Sequence, residues 1–393
     1  MPVPVTSAAW RCTKSSVSLK ILLVIFRADP ARGGAERYTI DLAESLTQRG
    51  HDVTLAASAF AAGIRGVNIA ARGATRTGRY RKFLDNLDRH LNESHYDIVH
   101  AMLPVRRCDV YHPHAGIAAE AIESGHLKHG GAMQLAARFA NRLNRKRIYF
   151  AQIEREMLSS PRPPLVLCLS DYVAGNLRRH YPDARCAKLF NAVDLDKFDP
   201  ARRIDAGMTI RRQLGISAGK TIALMIAQDF RRKGLPEALA AMARVDDPQL
   251  LLVVVGKEDP APYQRLAEQL RIADRVVFAG QTDDPYAFYK AADLFVLPTR
   301  HDPCSLVVLE ALAMGLPVIS TNRNGACEIM TDGVHGSVLT DPEDVEGLSA
   351  ALRKWLDPGP RRTASDLCLA LRPQLSHVAH VGRLLELYHN ARG

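Results

Sequence analysis

The chain has 393 residues, 47% of them hydrophobic and 24% charged. This is an ordinary globular composition that excludes collagen, low complexity and wholesale disorder, and the length predicts two to three domains. The formal net charge of +10 is unevenly placed, because residues 1–200 carry 29 basic and 19 acidic side chains whereas residues 201–393 carry 23 of each. That asymmetry predicts an anionic partner for the first half only.

The first 19 residues lack the apolar centre of a signal peptide and read as a loose leader, which points to the cytoplasm. Lys20–Arg27 (KILLVIFR) is a continuous apolar run of the kind a strand buried on both faces requires. A loop with Gly33-Gly34 and an amphipathic stretch to about Gly50 follow it. Asp52–Ser58, Tyr96–Ala101, Asp109–Tyr111 and Leu165–Ser170 read as further short strands with helical material between them. Asn191–Pro200 (NAVDLDKFDP), rich in turn formers, ends that sheet and places a hinge near residues 195–210. Thr221–Ala227, Gln249–Val255, Arg275–Ala279, Leu294–Leu297 and Pro317–Ser320 repeat the pattern. Helical segments such as Gly234–Ala243 and Ala261–Ile272 separate them.

The fold class this predicts is α/β: two doubly wound Rossmann-like domains, residues 20–200 and 201–375, facing a central cleft. A last helix, His377–Tyr388, has no room in the second sheet, so residues 376–393 are expected to pack back across the hinge. No apolar run approaches the roughly 18–20 residues that cross a bilayer. Seven scattered cysteines without a CxxC pair fit a reducing compartment with neither a disulfide framework nor structural zinc.

Ligands of doubly wound sheets bind at the carboxyl ends of the strands. After the first strand, Gly33 and Gly34 open a helix N-terminus to an anion or a sugar hydroxyl, in a pattern that is not GxGxxG. A plain tight turn is the competing reading. Gln228–Gly234 (QDFRRKG) places Arg231, Arg232 and Lys233 at a strand end, where adjacent cations repel unless a polyanion is expected. A diphosphate is the natural guest, with Lys233 its foremost ligand and Arg231 a solvated turn residue.

Leu297–Thr321 (LPTRHDPCSLVVLEALAMGLPVIST) carries most information. Asp302 lies in a loop and Glu310 more than one turn inside a helix beginning around Ser305, so the two carboxylates can hold opposite ends of one elongated ligand. Backbone N–H groups of Cys304, Ser305 and Leu306 offer an anion site between them. The order carboxylate, anion site, carboxylate matches sugar, diphosphate, ribose.

Asp302-Pro303-Cys304-Ser305-Leu306-Val307-Val308-Leu309-Glu310 and the residues to Ser320 resemble the acidic-x7-Glu signature of retaining glycosyltransferases of family 4, which have the glycosyltransferase B fold. The likeness runs from Gly33-Gly34 through Asn191-Ala192-Val193-Asp194 and Lys233-Gly234 to Gly325 and Glu328. Residues 228–234 and Asp109-Val110-Tyr111-His112-Pro113-His114 place it nearest the lipopolysaccharide core glucosyltransferase I group.

The resemblance implies a nucleotide-diphosphate sugar donor and a glycan or glycolipid acceptor. Glu310 would bind the ribose, Lys233 and Arg232 the diphosphate, Asp302 the sugar hydroxyls, and Gly34 would lie against phosphate or acceptor. A histidine facing the reacting sugar is implied, best fitted by His114, with His112 beside the acceptor and His100 the weaker candidate. Two positions depart from the pattern: Asp302 stands where the family usually has Glu, and Gln228 where an arginine is frequent. No metal or other cofactor is expected, because no ligand set has zinc spacing and no DxD motif sits on a suitable loop.

Two basic concentrations, Arg65 to Arg89 and Arg138 to Arg147, predict contact with an anionic acceptor or the inner membrane surface, through Arg142 and Lys146 among others. Gly33 is the acceptor-side glycine. Nucleic acid is not expected, since Tyr80, Phe83 and Phe139 form no stacking array. The chain reads as a monomer or weak oligomer. A nucleotide-sugar 2-epimerase of the same fold and a non-catalytic nucleotide-binding module are the alternatives.

Overall fold

The computed structural model describes residues 18–123 and 145–392. The leader to residue 17, and Arg142 and the rest of 124–144, lie outside the described residues. The first sheet contains β1 (Lys20–Val24), β2 (Asp52–Ala57), β3 (Val67–Asn68), β4 (Ile98–Ala101), β5 (Val110–Tyr111), β6 (Leu165–Cys168) and β7 (Cys186–Lys188), in the order β3-β2-β1-β4-β5-β6-β7. The second contains β8 (Thr221–Ile226), β9 (Leu250–Val255), β10 (Val276–Gly280), β11 (Leu294–Leu297), β12 (Val318–Thr321) and β13 (Gly336–Leu339), in the order β10-β9-β8-β11-β12-β13.

All strand pairs are parallel. Parallel strands need crossover helices on both faces, so their side chains are buried on both. Accordingly Ile21, Leu22, Leu23 and Val24 of β1 are all 0% exposed. The strands β3, β7 and β13, which apolar runs did not predict, are edges of their sheets. With only one strand neighbour each, they need no continuous apolar run.

Each sheet reverses its order at one point, between β1 and β4 in the first and between β8 and β11 in the second. At such a switch point adjacent loops diverge to opposite faces and leave a crevice at the strand ends. The loops that follow β1, β8 and β11 are the three that carry the glycines, the basic cluster and Asp302.

The two sheets are tied by the chain's end. The helix His377–Arg392 buries Val381, Leu384, Leu387 and Tyr388 against Ile21, Leu23, Leu42 and Leu46 of the first domain. Side chains of this size contribute roughly 1.5–3 kcal/mol each when fully buried. At the hinge, Arg372 donates to the carbonyls of Phe198 (2.7 Å), Ala313 (2.7 Å) and Leu195 (3.1 Å). Val193 N–H donates to Leu375 O at 2.8 Å. No helix among the described residues is long and apolar enough to cross a membrane.

Candidate active site

A cleft of about 1100 Å³ separates the domains, lined from the first by Gly33, Gly34, Arg37, His114 and Arg147 and from the second by Arg232, Lys233, Asp302, Ser305 and Glu310. The loop after β8 turns into the helix Leu235–Arg244 through Gly234, at φ 83°. A Cβ there would stand 2.2 Å from Pro298 O, so only glycine lets this turn close on the end of β11. That approach sets Lys233 beside Asp302, its Nζ donating to Asp302 Oδ2, with both residues 8% exposed.

Burial acts against both charges. On Asp302 the attraction of Lys233, helped by Arg232 and His301, outweighs burial and holds the carboxyl below its usual range. On Lys233 burial prevails and its pKa falls, with Asp302 opposing. Arg232 donates to Asp229 Oδ2 at 3.2 Å and to the carbonyl of His301 at 2.9 Å, which lays its guanidinium along the same wall.

Ser305 stands at the N-cap position of the helix Leu306–Ala313, with no capping bond from its side chain. The anion site read from the sequence narrows here. Cys304 N–H already donates to Asp302 Oδ1 (3.2 Å) and Ser305 N–H to Asn324 Oδ1 (3.2 Å), which leaves the first-turn N–H groups of Leu306 and Val307 as its donors. A Cβ on Gly34 would meet Leu306 Cδ1 at 3.2 Å, so the glycine loop of the first domain sits directly against this helix start. Glu310, half-buried, accepts from Tyr289 Oη at 2.8 Å. Burial lifts its pKa and that hydrogen bond partly offsets the rise.

His114 lines the cleft, whereas His112 and His100 are 0% exposed behind it. The three rings lie in sequence: His100 and His112 stack with centroids 5.4 Å apart, and His114 is tilted at 45° to His112 with centroids 4.2 Å apart. Burial first, and the mutual repulsion of neighbouring imidazoles second, lower all three, to about 3 for His100 and about 3 for His114. His114 therefore faces the cleft as a neutral ring. It packs on Tyr38 (centroids 4.3 Å), whose hydroxyl pairs with His380 Nε2 at 2.8 Å. His112, read as an acceptor contact, is enclosed by these rings and does not reach the cleft.

Of the basic segment, Arg147 lines the cleft and Lys146 lies in the helix Arg145–Leu158. Arg231 is exposed, as a solvated turn residue should be. Sequence reasoning gave no role to His301, which lines the cleft with its Nδ1 2.7 Å from Tyr172 Oη, or to Tyr289. Nor did it give one to the side chain of Asn191, which lines the cleft 4% exposed with Oδ1 unpartnered. The polar sequence Arg300-His301-Asp302 after a buried strand was the available signal for His301.

A crevice of this chemistry between two doubly wound domains belongs to an enzyme that handles a nucleotide sugar. Residues 32–197 match the family model Glycosyltransferase Family 4, and residues 208–365 match Glycosyl transferases group 1. The chain belongs to the glycosyltransferases built from these two domains, with the glycosyltransferase B fold.

It is 26% identical over 343 residues to lipopolysaccharide glucosyltransferase WaaG of Escherichia coli K12, which covers 84% of this chain and 88% of that one. It is 33% identical over 153 residues to the lipopolysaccharide core biosynthesis glycosyltransferase LpsE of Rhizobium meliloti, covering 39% and 44%. The fold superposes on crystalline WaaG with a TM-score of 0.80 at 23% identity, over 94% of this chain and 99% of that one. On Anabaena HepE in complex with UDP-glucose the TM-score is 0.70 at 20% identity, over 95% and 100%.

Proposed function

We propose that this protein transfers a hexose from a UDP-glucose-like donor to an anionic glycan or glycolipid of the lipopolysaccharide-core kind, with retention at the anomeric carbon. The observation that carries the reading is the convergence in one cleft of Lys233, Arg232, Asp302 and Glu310 from the second domain with Gly34 and His114 from the first. The UDP-glucose complex of HepE supports the donor, and the names of WaaG and LpsE support the acceptor.

In this reading Glu310 holds the ribose hydroxyls, Lys233 and Arg232 the diphosphate, and Asp302 the hydroxyls of the donor sugar. His114, uncharged, lies against the reacting ring. As the bond from the anomeric carbon to the diphosphate breaks, negative charge gathers on the leaving oxygen. Lys233, Arg232 and the N–H groups of Leu306 and Val307 stabilise that charge, the electrostatic route to rate enhancement. These groups neutralise the leaving group without a metal. A covalent glycosyl enzyme would need a carboxylate beneath the anomeric carbon, and Asp302 is already bound to Lys233.

Arg147, which lines the cleft, receives the anionic acceptor at the inner face of the cytoplasmic membrane, and Lys146 and Arg142 of the same basic segment add to that charge. Each basic residue near such a surface adds about 1 kcal/mol. The enzyme works there as a monomer or weak oligomer. Purified protein, a panel of nucleoside diphosphate sugars and lipopolysaccharide-core acceptors test the reading, with the anomeric configuration of the product read by NMR. No turnover with any donor would sink it, and an inverted product would sink the retaining step.

A further inference from the structure

The loop that carries Asp302 belongs to the second domain, yet side chains of the first hold it on three sides. Tyr172 Oη meets His301 Nδ1 at 2.7 Å, Ser170 Oγ donates to Pro303 O at 2.7 Å, and Asn191 Nδ2 donates to Cys304 O at 2.9 Å. Residues 301, 303 and 304 are thus gripped from across the cleft, with Asp302 between them.

A second connection runs beneath. Asp302 N–H donates to Arg323 O at 2.9 Å, and Gly325 N–H donates to Asp302 O at 3.0 Å, so the loop is fastened to the turn that opens the short 3-10 helix Gly325–Ile329. Glu328 in that helix reaches back to the first domain. Its Oε2 and Oε1 accept the N–H groups of Asp171 and Tyr172, each at 2.8 Å, at the start of the helix Asp171–His180. Two first-turn donors and the positive end of a helix dipole thereby receive one carboxylate. Lys188 Nζ seals the pair, 3.0 Å from Glu328 Oε2 and 2.6 Å from Asp171 Oδ2. The approach is close: a Cβ on Gly325 would stand 2.3 Å from Ser170 Oγ and 2.0 Å from Pro303 O.

We propose that Glu328 and Tyr172 are positioning residues forming a cross-domain latch that fixes the Asp302 loop for transfer when the domains are together. The inference rests on the transferase reading given above. Neither residue lines the cleft, so each acts through the loop it holds. With the latch open, the loop keeps its contacts to Arg323 and Gly325 but loses those that Tyr172, Ser170 and Asn191 make to His301, Pro303 and Cys304. Donor can then still bind the second domain while Asp302 loses its aim.

The test compares the full chain with Glu328→Gln and with Tyr172→Phe, which removes a single hydroxyl. Three readouts are needed: steady-state kinetics, melting temperature, and hydrogen exchange of the Asp171 and Tyr172 amides. Misplacing a reacting group by about 1 Å can reduce rate a hundredfold. Both variants are expected to lower kcat at least about tenfold with donor KM held within about threefold, a split that marks loss of transition-state positioning. Melting temperature should be unchanged, and the two amides should exchange faster in Glu328→Gln. Unchanged kcat in both variants, or amides as protected in Glu328→Gln as in the parent, overturns the latch. If the parent chain turns over no nucleotide sugar, the transferase reading falls, and amide exchange alone then decides whether the latch exists.

Discussion

Acidification should loosen the first domain through its buried imidazoles. His100, His114 and His380 have pKa values of about 3, about 3 and about 4 in the folded chain, lowered first by burial, against about 6.5 unfolded. Because the folded values are depressed, the stability these groups allow is intact above pH 6.5. It is lost as pH falls through 6.5 toward the folded values, since only the unfolded chain gains the protons. At pH 5 each contributes a loss of about 2 kcal/mol relative to pH 7, at 1.36 kcal/mol per unit, or about 6 kcal/mol for the three. That is comparable with the whole stability of a typical domain.

His112, lowered first by burial as well, adds to the loss, while the raised carboxyls of Glu154 and Glu310 oppose it. The melting temperature should fall by roughly 7 °C if the chain melts as one unit and by about twice that if the first domain melts alone. Melting followed by circular dichroism at pH 7, 6 and 5 at constant ionic strength reads this, with His100→Asn expected to remove about a third of the pH-dependent loss. A melting temperature within about 2 °C between pH 7 and pH 5, or an undiminished loss in His100→Asn, would refute the reasoning.

Lys233→Met leaves Asp302 as an unpaired buried carboxylate and should lower stability by about 3–5 kcal/mol. Adding Asp302→Asn should restore the melting temperature but not activity, which calorimetry and a donor-turnover assay separate. Glu310→Ala should lower turnover at least about a hundredfold while circular dichroism stays unchanged, because among the described residues its side chain is hydrogen-bonded to the Tyr289 hydroxyl alone; a parental rate would remove Glu310 from the site. Neutralising Arg142, Arg145 and Lys146 together should weaken binding to anionic vesicles with donor KM unchanged, and a rise in donor KM would place that segment on the donor side instead.

Much of this arrangement was legible in the sequence because it is local. The continuous apolar runs at Ile21 and Leu250 could only be strands buried on both faces, and the alternation of such runs with helical segments fixed two parallel sheets. The loops that matter follow β1, β8 and β11, and each has a compositional mark: Gly33-Gly34, Arg231-Arg232-Lys233, and Asp302. The edge strands β3, β7 and β13 escaped because, with one neighbour each, they need no apolar run.

What pairs with what was not legible at all. Lys233 and Asp302 are 69 positions apart, and Ser170 grips Pro303 across 133. Composition tells that a charge lies near a strand end, never which opposite charge the tertiary fold brings to it. The anion site failed in part for the same reason. Counting open N–H groups at a helix start assumes that no side chain takes them, and Asp302 and Asn324 take two.

The pairing of Lys233 with Asp302 leaves both groups able to serve the proposed reaction. An ammonium has three N–H donors, and a carboxylate has about four lone-pair sites. Lys233 gives one donor to Asp302 and makes no other hydrogen bond among the described residues, so in the transferase reading two are left for diphosphate oxygens. Asp302 accepts from Lys233 on Oδ2 and from Cys304 N–H on Oδ1, so one lone pair on each oxygen is left for sugar hydroxyls. In the transferase reading proposed above, the ion pair thus joins the diphosphate and sugar halves of the donor site. Asp302 stands where the family usually has glutamate, and in the transferase reading its carboxylate, held at Lys233, sets where the donor sugar sits.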